Sequence, residues 1–228
     1  MNFYPSETAT DAEMAAAEAM TMDDYLLNHI SPEDDYLHRL YRATNTHLLR
    51  PRMASGHLQG QLLRMLTGMI RPKVVVEIGT YSGYSALSMA AGMTADAVLH
   101  TFEINDEQEV FTRPWLEGSP YPPRIVLHIG EVEKLLPPMN LSIDLAFIDA
   151  NKRQYVDYYN LLMPFIAPGG YILADNTLWD GHVLEEQPHR TDLQTIGIKA
   201  FNDLVAADHR VEKVILPLRD GLTIIRKK

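Results

Sequence analysis

The stretch VVVEIGTYSGYSALSMA, residues 74–90, is the part of the sequence that decides the fold class. It begins with an apolar run typical of a buried strand and ends with small and apolar residues typical of a buried helix. Between the two lies a turn that contains Gly79 and Gly83. A strand followed directly by a helix is the unit from which parallel sheets are built. The stretch therefore predicts an α/β fold.

The same alternation continues to the C-terminus and predicts six more strands. The runs are AVLHTFEI (97–104), RIVLHI (124–129), IDLAFIDA (143–150), YILADN (171–176), VEKVILPL (211–218) and LTIIR (222–226). Apolar runs separated by helical stretches indicate a parallel sheet covered on both faces. Only residues 219–221 separate the last two runs, which is too short for a crossover helix, so they predict an antiparallel hairpin. We predict a doubly wound, mostly parallel seven-stranded sheet of the Rossmann-like type with this hairpin at its C-terminal end.

The segment before this sheet is predicted to be helical. Ser31-Pro32-Glu33-Asp34 is a helix start, because serine can cap, proline suits the first turn and acids favour the positive helix end. The segment GHLQGQLLRMLTGMI, residues 56–70, has apolar residues at helical spacing. A chain of 228 residues suits one α/β domain. We predict an arm or short helix over residues 1–30 and one domain over residues 31–228, in which residues 31–72 form a helical cap region.

Composition limits the classes of partner. The formal net charge of -10 disfavours nonspecific attraction to nucleic acid or anionic lipid, although a local basic patch is compatible with it, and small-molecule partners fit better. The chain contains no cysteine, so any metal must take oxygen or imidazole ligands. No apolar run reaches the roughly twenty residues of a membrane span, and the sequence begins with no secretory signal pattern. The cytoplasm is the predicted location.

The ends of the first two strands indicate a nucleoside site. Gly79 and Gly83 let backbone N-H groups approach a ligand, but the middle glycine of the dinucleotide fingerprint G-x-G-x-x-G is missing. Glu77 lies near the end of the first strand, and Glu103, at the end of the second, can accept hydrogen bonds from ribose hydroxyls. The alternative is a plain tight turn with two glutamates at exposed strand ends. Gly130, at the end of the third strand, is a weaker signal of the same kind.

Polar residues also end the fourth and fifth strands, where Asp149, Asp175 and Asn176 are expected to meet at one edge of the sheet. Two carboxylates repel each other unless a cation lies between them. Oxygen donors favour Mg²⁺, with Mn²⁺ or Ca²⁺ as alternatives. Each residue taken singly is equally typical of a cap on the next helix.

Lys152 lies three residues after Asp149, in the first turn of a helix, where a cation is unfavourable. A nearby metal and the positive helix end would lower its pKa toward the range of a general base. The alternative is a solvated lysine paired with Asp149 or Asp157.

These motifs resemble the cation-dependent, S-adenosylmethionine-dependent O-methyltransferases, which include catechol and caffeoyl-CoA O-methyltransferases and many bacterial relatives. The resemblance is carried by VVEIGTYSGYSALSMA, TFEIN, RDGLTI and above all by FIDANK and ADNTLWDGHV, and it covers residues 31–226. It implies the Rossmann-like methyltransferase fold, S-adenosylmethionine as cofactor, a divalent cation and a homodimer.

The resemblance also implies roles for individual residues. The cofactor residues are Met53 near the reactive methyl, Ser55 at the amino-acid end, Glu77, Gly79, Thr80, Tyr81, Gly83 and Ser85 in the first turn, Glu103 at the ribose, Gly130 and Val132 beside adenine, and Asp149. The metal ligands are Asp149, Asp175 and Asn176, and the base is Lys152. Two residues depart from the family pattern: Asn151 replaces an acid that bacterial members often have, and Val132 replaces a smaller alanine.

The acceptor predicted from this chemistry is a small catechol-like compound or another vicinal diol, because two adjacent hydroxyls chelate a cation best. Trp179 and Tyr155 are candidates to cover an aromatic ring, although core or lid packing is the commoner role of such residues. One alternative is the same chemistry on a hydroxylated uridine in tRNA, with Arg39, Arg42, Arg50 and Arg52 as a basic rim. The others are an NAD-linked oxidoreductase and a noncatalytic binding module.

Overall fold

The computed structural model describes residues 20–228 of the chain. The chain divides into two compact units between Pro32 and Glu33. The described part of the first unit contains helix α1 (Met22–His29), which Thr21 caps in a reciprocal arrangement with Asp24. The prediction of an arm or short helix over residues 1–30 falls mostly on residues 1–19, which lie outside the described residues.

The second unit alternates strands and helices in the predicted order. Its helices are α2 (Asp35–His47), α3 (Gly56–Ile70), α4 (Tyr84–Ala90), α5 (Glu109–Glu117), α6 (Val132–Leu135), α7 (Tyr155–Leu162) and α8 (Leu193–Ala207). Its strands are β1 (Val74–Ile78), β2 (Val98–Glu103), β3 (Arg124–Ile129), β4 (Ile143–Ile148), β5 (Ile166–Asp175), β6 (Val211–Leu216) and β7 (Leu222–Lys227). Short 3-10 turns lie at Pro51–Met53, Asp106–Gln108, Pro137–Met139, Lys152–Gln154 and Trp179–Leu184.

The seven strands form one sheet in the order β3-β2-β1-β4-β5-β7-β6. The first five pair in parallel, whereas β7 pairs antiparallel with both β5 and β6. The predicted mostly parallel sheet with a C-terminal antiparallel hairpin is therefore confirmed. Because the strand order reverses beside β1, the carboxyl ends of β1 and β4 flank the position where doubly wound sheets bind ligands.

Helices cover both faces of the sheet with apolar side chains. Val75 and Val76 are consecutive and fully buried, yet they belong to separate core clusters, which places one cluster on each face. One cluster packs Tyr159 of α7 and Phe201 of α8, and the other packs Leu63 of α3. The continuous apolar runs of the sequence reflect this two-sided burial. Among residues 20–228, no helix combines the length and the apolar character needed to cross a membrane.

The cap of one N-terminal helix differs from the expectation. Helix α2 begins at Asp35 and its cap is Asp34, whose side chain accepts a hydrogen bond from the N-H of Tyr36 at 2.8 Å, so Ser31 is not the cap. The carboxylate of Asp34 also accepts a hydrogen bond from the Tyr121 hydroxyl at 2.8 Å, which ties the start of α2 to the loop before β3. The second predicted helix, over residues 56–70, is α3.

Gly79 allows the ends of β1 and β4 to approach each other closely. Its φ is +97°, and a Cβ at this position would lie 2.1 Å from the carbonyl oxygen of Asp149. A larger residue is therefore excluded by the backbone of β4. The sequence predicted that this glycine gives a ligand access to the turn, and the structure adds a packing reason for it.

Candidate active site

A cavity of about 420 Å³ opens at the carboxyl ends of β1, β4 and β5. Most of the predicted site residues line it: Met53, Ser55, Gly79, Thr80, Tyr81, Ser85, Asp149, Lys152, Asp175 and Asn176. A second, more open cavity of about 500 Å³ lies at the amino ends of the same strands, beside Lys73, Asp144 and Tyr171. It contains none of the predicted residues. The first cavity is therefore the candidate active site.

Parallel pairing brings the three predicted metal ligands to one wall of this cavity. Ile148 pairs with Ala174, so Asp149 and Asp175 follow in register on neighbouring strands. Asn176 comes next in the chain with a φ of 58°, a left-handed conformation that asparagine tolerates better than most residues. Within residues 20–228 there is no cluster of three His, Cys, Asp or Glu residues that could hold a metal. Asn176, whose side chain offers an amide oxygen, is the third candidate donor at this wall.

Asp175 is almost completely buried, with 4% of its surface exposed. Its carboxylate accepts hydrogen bonds from the side chain of Gln59 at 2.7 Å and from the backbone N-H of Asn176 at 2.9 Å. Burial raises the pKa of Asp175 to about 6, and the charge of Asp149 adds to the increase. Crowded, desolvated carboxylates of this kind are stabilised by a cation.

Lys152 faces Asp149 and is buried beneath the cavity wall. Its Nζ donates to Asp149 Oδ1 at 2.7 Å and to the hydroxyl of Tyr155 at 2.8 Å. The Tyr155 hydroxyl in turn donates to the carbonyl of Asp175 at 3.0 Å. The ammonium group is thus held between the ends of β4 and β5. The sequence offered a general base or, as the alternative, a solvated lysine paired with Asp149 or Asp157. The pairing with Asp149 is present, but Lys152 is only 8% exposed and is not solvated.

The pKa of Lys152 in the protein alone is set by the groups around its amine. Burial alone would lower it, but the carboxylate of Asp149 and the hydroxyl of Tyr155 outweigh burial and raise the pKa above its usual value. The predicted lowering applies to a site that holds a cation beside Asp149, and it stays a prediction. Lys152 lies in the 3-10 turn of residues 152–154, which Asn151 caps and which leads directly into α7.

Five of the predicted cofactor residues do not line the cavity: Glu77, Gly83, Glu103, Gly130 and Val132. Glu103 accepts the backbone N-H groups of Tyr81 at 2.8 Å and Asn105 at 2.9 Å, so its carboxylate is fixed beside the β1 turn. Val132 is buried in the core. The structure describes their positions, and their roles toward a cofactor stay predictions.

Glu77 is completely buried under the β1 turn, where its carboxyl oxygens accept hydrogen bonds from Ser85 at 2.6 Å and Thr101 at 2.5 Å. Burial raises the pKa of Glu77 to about 8, against these two hydrogen bonds and with help from the charges of Asp149 and Glu103. Glu77 therefore connects the residues around the β1 turn through hydrogen bonds to Ser85 and Thr101. With a pKa of about 8, its carboxyl group is mostly protonated at neutral pH.

We expect Glu77 to make the stability of the fold depend on pH. The folded state holds the proton up to about pH 8, whereas the unfolded chain releases it near pH 4.3. The stabilisation is complete below the unfolded value and is lost as the pH rises through 8. Between pH 5 and pH 9 the melting temperature of Glu77→Gln should fall less than that of the wild type. The exposed Glu107→Gln variant is the control, and parallel pH curves for Glu77→Gln and wild type would contradict the assignment.

The model of the O-methyltransferase family matches residues 28–228, which is most of the chain. The chain belongs to the O-methyltransferase family. The prediction of this family is confirmed, and the alternative of an NAD-linked oxidoreductase is set aside.

Individual relatives of this O-methyltransferase come from plants and bacteria. Caffeoyl-CoA O-methyltransferase 2 of Zea mays is 34% identical over 185 residues, which cover 77% of this chain and 70% of the maize protein. The solved O-methyltransferase of Bacillus cereus in complex with S-adenosylhomocysteine is 25% identical, with a TM-score of 0.83 over 90% of this chain and 96% of that one. The solved enzyme of tomaymycin synthesis from Streptomyces achromogenes, in complex with S-adenosylmethionine, is also 25% identical, with a TM-score of 0.82 over 90% and 95%.

Trp179 and Tyr155 were both candidates to cover an aromatic ring of the acceptor, with core or lid packing as the alternative, and they lie in different places in this O-methyltransferase. Tyr155 is fully buried and packs edge-on against Phe201, so it belongs to the core. Trp179 lines the cavity and remains a candidate to cover an acceptor ring. Of the four arginines predicted to form a basic rim, Arg50 and Arg52 line the cavity, whereas Arg39 and Arg42 do not.

Sequence reasoning missed two residues of the O-methyltransferase site, Gln59 and Arg219. Gln59 donates to Asp175, and its own oxygen accepts a hydrogen bond from Arg219 Nη1 at 3.2 Å. A signal for Gln59 was present, since it lies on the buried face of α3 with Leu63 and Thr67 at i+4 and i+8. A buried glutamine on an apolar helix face needs a polar partner. Arg219 lies in the β6–β7 turn and offered no comparable signal.

Proposed function

We propose that this O-methyltransferase transfers a methyl group from S-adenosylmethionine to a hydroxyl of a small catechol-like or vicinal-diol acceptor, with a divalent cation holding the acceptor. The observation that carries the proposal is that Asp149, Asp175, Asn176 and Lys152 line the same cavity as the glycine turn after β1. The solved relatives that bind S-adenosylhomocysteine or S-adenosylmethionine support the choice of cofactor.

The residues present fit a divalent cation. Two carboxylates and one amide oxygen on the same cavity wall form a hard donor set. We propose Mg²⁺, with Mn²⁺ or Ca²⁺ as alternatives, held by Asp149, Asp175 and Asn176.

The β1 turn likewise fits a polar cofactor. The hydroxyl of Ser82 is buried at the cavity and has no hydrogen-bond partner among residues 20–228, which leaves it for a bound polar group. We propose that the cofactor lies against Ser55, Thr80, Tyr81 and Ser85, with Glu103 at the ribose. When bound, S-adenosylmethionine supplies an electrophilic methyl group on sulfur, and the cation supplies positive charge that favours an oxyanion.

Lys152 is the proposed general base. Its Nζ lies 2.7 Å from Asp149 and is oriented by the hydroxyl of Tyr155, so its position is fixed before an acceptor arrives. The amine of Lys152 must be neutral to accept the hydroxyl proton. It can be neutral only if the carboxylate of Asp149 binds a partner other than the Lys152 ammonium group. We propose that Trp179, which lines the cavity, contacts the acceptor ring.

A hydroxylated uridine in tRNA is the second candidate acceptor. Arg50 and Arg52 at the cavity favour it, whereas the net charge of -10 opposes binding of a polyanion. Affinity for tRNA that falls steeply with salt would support this candidate. A cytoplasmic location and a homodimer stay predictions.

The proposal is tested by release of S-adenosylhomocysteine with Mg²⁺ and a panel of acceptors: a catechol, the matching phenol with one hydroxyl, a dihydroxycinnamoyl thioester and undermodified tRNA. We expect turnover with the vicinal diols and little with the phenol, because a single hydroxyl cannot chelate. Equal turnover of phenol and catechol, or turnover of tRNA alone, would contradict a small vicinal-diol acceptor.

A further inference from the structure

Gln59 is a buried amide that connects a proposed metal ligand to an exposed arginine. It is only 1% exposed and lies on the buried face of α3. Its Nε2 donates to Asp175 Oδ2 at 2.7 Å, and its Oε1 accepts a hydrogen bond from Arg219 Nη1 at 3.2 Å. The same Nη1 lies 3.5 Å from the carbonyl oxygen of Ala54. The proposed methyl transfer gives neither Gln59 nor Arg219 a direct part in the chemistry.

Arg219 determines which end of the Gln59 amide faces Asp175. A guanidinium only donates hydrogen bonds and an ionised carboxylate only accepts them, whereas an amide donates at one end and accepts at the other. The amide oxygen of Gln59 must therefore face Arg219, and its NH2 group must face Asp175. Without Arg219 the amide could rotate by half a turn and bring its oxygen against the carboxylate, where two acceptors repel each other. Arg219 thus acts on Asp175 through Gln59.

The turn that carries Arg219 is fixed to the chain just after the proposed metal ligands. The N-H groups of Thr177 and Leu178 donate to the carbonyl oxygens of Gly221 at 3.1 Å and Asp220 at 2.9 Å. Gly221 has a φ of +90°, and a Cβ on it would lie 2.6 Å from the backbone nitrogen of Leu178, so glycine is needed for this approach. Backbone contacts therefore set the position of Arg219 relative to the end of β5.

The Asp175 carboxylate is oriented by this arrangement and can still bind a cation. Gln59 binds Oδ2, and the backbone N-H of Asn176 binds Oδ1 at 2.9 Å. A carboxylate oxygen can accept at two positions, so one position stays available on each oxygen. Hydrogen bonds of this kind orient the ligands of a metal and thereby raise its affinity.

We propose that Gln59 and Arg219 are positioning residues that act in series, in which Arg219 fixes the Gln59 amide and Gln59 fixes the Asp175 carboxylate for the divalent cation. This inference rests on the proposed function. The affinity for the cation then depends on two side chains that are not among its ligands, and Arg219 affects it only through Gln59.

The test is the Kd for Mn²⁺, measured by electron paramagnetic resonance on the enzyme without acceptor, so the readout does not depend on turnover. Gln59→Met keeps the length of the side chain but removes the amide, and its Kd should rise by about 10- to 100-fold, as for loss of an outer partner of a metal ligand. In Arg219→Met the rise should be about two- to tenfold, as for one hydrogen bond, because the amide is still present.

Two control variants should bind Mn²⁺ with the Kd of the wild type. Gln61→Met makes the same change on the same helix but outside the cavity. Arg42→Met removes an exposed arginine of α2 that does not line the cavity. Binding of S-adenosylhomocysteine should change little in any of the variants, which separates a loss of cation affinity from general damage to the site.

The double variant tests whether the two residues act in series. If Arg219 acts only through Gln59, then Gln59→Met combined with Arg219→Met should have the Kd of Gln59→Met alone. A further rise equal to that of Arg219→Met by itself would show that the two residues act independently, against the proposal. Melting curves check the folding of each variant. Because Arg219 is exposed, Arg219→Met is expected to fold even if Gln59→Met does not, and an unchanged Kd in Arg219→Met is sufficient to reject the proposal.

The positioning role and the proposed function fail in different ways. A wild type that binds no Mn²⁺ would overturn the proposed cation site and the positioning role with it. A wild type that binds Mn²⁺ and needs it for turnover, together with variants that bind it equally well, would overturn the positioning role and leave the proposed function intact.

Discussion

Replacing Asp175 by alanine is expected to lower kcat for methyl transfer by more than about a hundredfold, since loss of even an outer partner of a metal ligand costs 10- to 100-fold. The change removes one of two carboxylates proposed to hold the cation, and it also removes the acceptor of the Gln59 hydrogen bond. Turnover is measured as release of S-adenosylhomocysteine at saturating Mg²⁺. Asp149→Ala should have a similar effect, but it also frees Lys152, so Asp175→Ala isolates the cation more cleanly.

Binding of S-adenosylhomocysteine, measured by calorimetry, should change far less in Asp175→Ala than kcat does. This separates a role in catalysis from general damage to the site. Asp157→Ala is the matched control, because Asp157 is an exposed carboxylate on α7 close in sequence to the site. A folded Asp175→Ala enzyme that turns over at the wild-type rate would contradict the proposed cation site.

Replacing Lys152 by methionine is expected to lower kcat by about a hundred- to ten-thousandfold at neutral pH, the range for loss of a general base. Methionine fills a similar volume but cannot accept a proton. Lys152→Arg should be nearly as inactive, because a guanidinium keeps the charge yet does not release its proton near neutral pH. This pair of variants distinguishes a base from a residue that only supplies positive charge.

The pH profile gives a second readout for Lys152. An aromatic hydroxyl ionises without help near pH 10, so the deficit of Lys152→Met should be largest near pH 7 and shrink as the pH approaches 10. A deficit of constant size across this range, or full activity of Lys152→Arg, would show that Lys152 is not the base. Melting curves check that loss of the Asp149 ion pair has not unfolded the variants.

The fold and the location of the site could be predicted from the sequence because both follow from local patterns. Apolar runs such as VVVEI and IDLAFI are buried on both faces, and this burial is what a parallel sheet requires. Residues that follow consecutive parallel strands must meet at one edge, so Asp149 and Asp175 were expected to share a site. Short connections such as residues 219–221 limited the last two strands to a hairpin.

Features that depend on tertiary contacts could not be predicted in this way. In the protein alone, the pKa of Lys152 is set by the placement of Asp149 and Tyr155 around one nitrogen, which no local pattern of the sequence records. Arg219 reaches Gln59 across 160 positions of the chain, a pairing that no local pattern records. The glutamates near the β1 turn looked alike in sequence, yet Glu77 is buried below the turn whereas Glu103 is partly exposed and holds its backbone.

The central claim is that oxygen donors at the ends of β4 and β5 hold a divalent cation that methyl transfer requires. It is tested most directly by assaying methyl transfer to a catechol after EDTA treatment and again after Mg²⁺ is restored. We expect the activity of the wild type to disappear with EDTA and to return with Mg²⁺, whereas the activity of Asp175→Ala should not return. Undiminished activity in EDTA would contradict it.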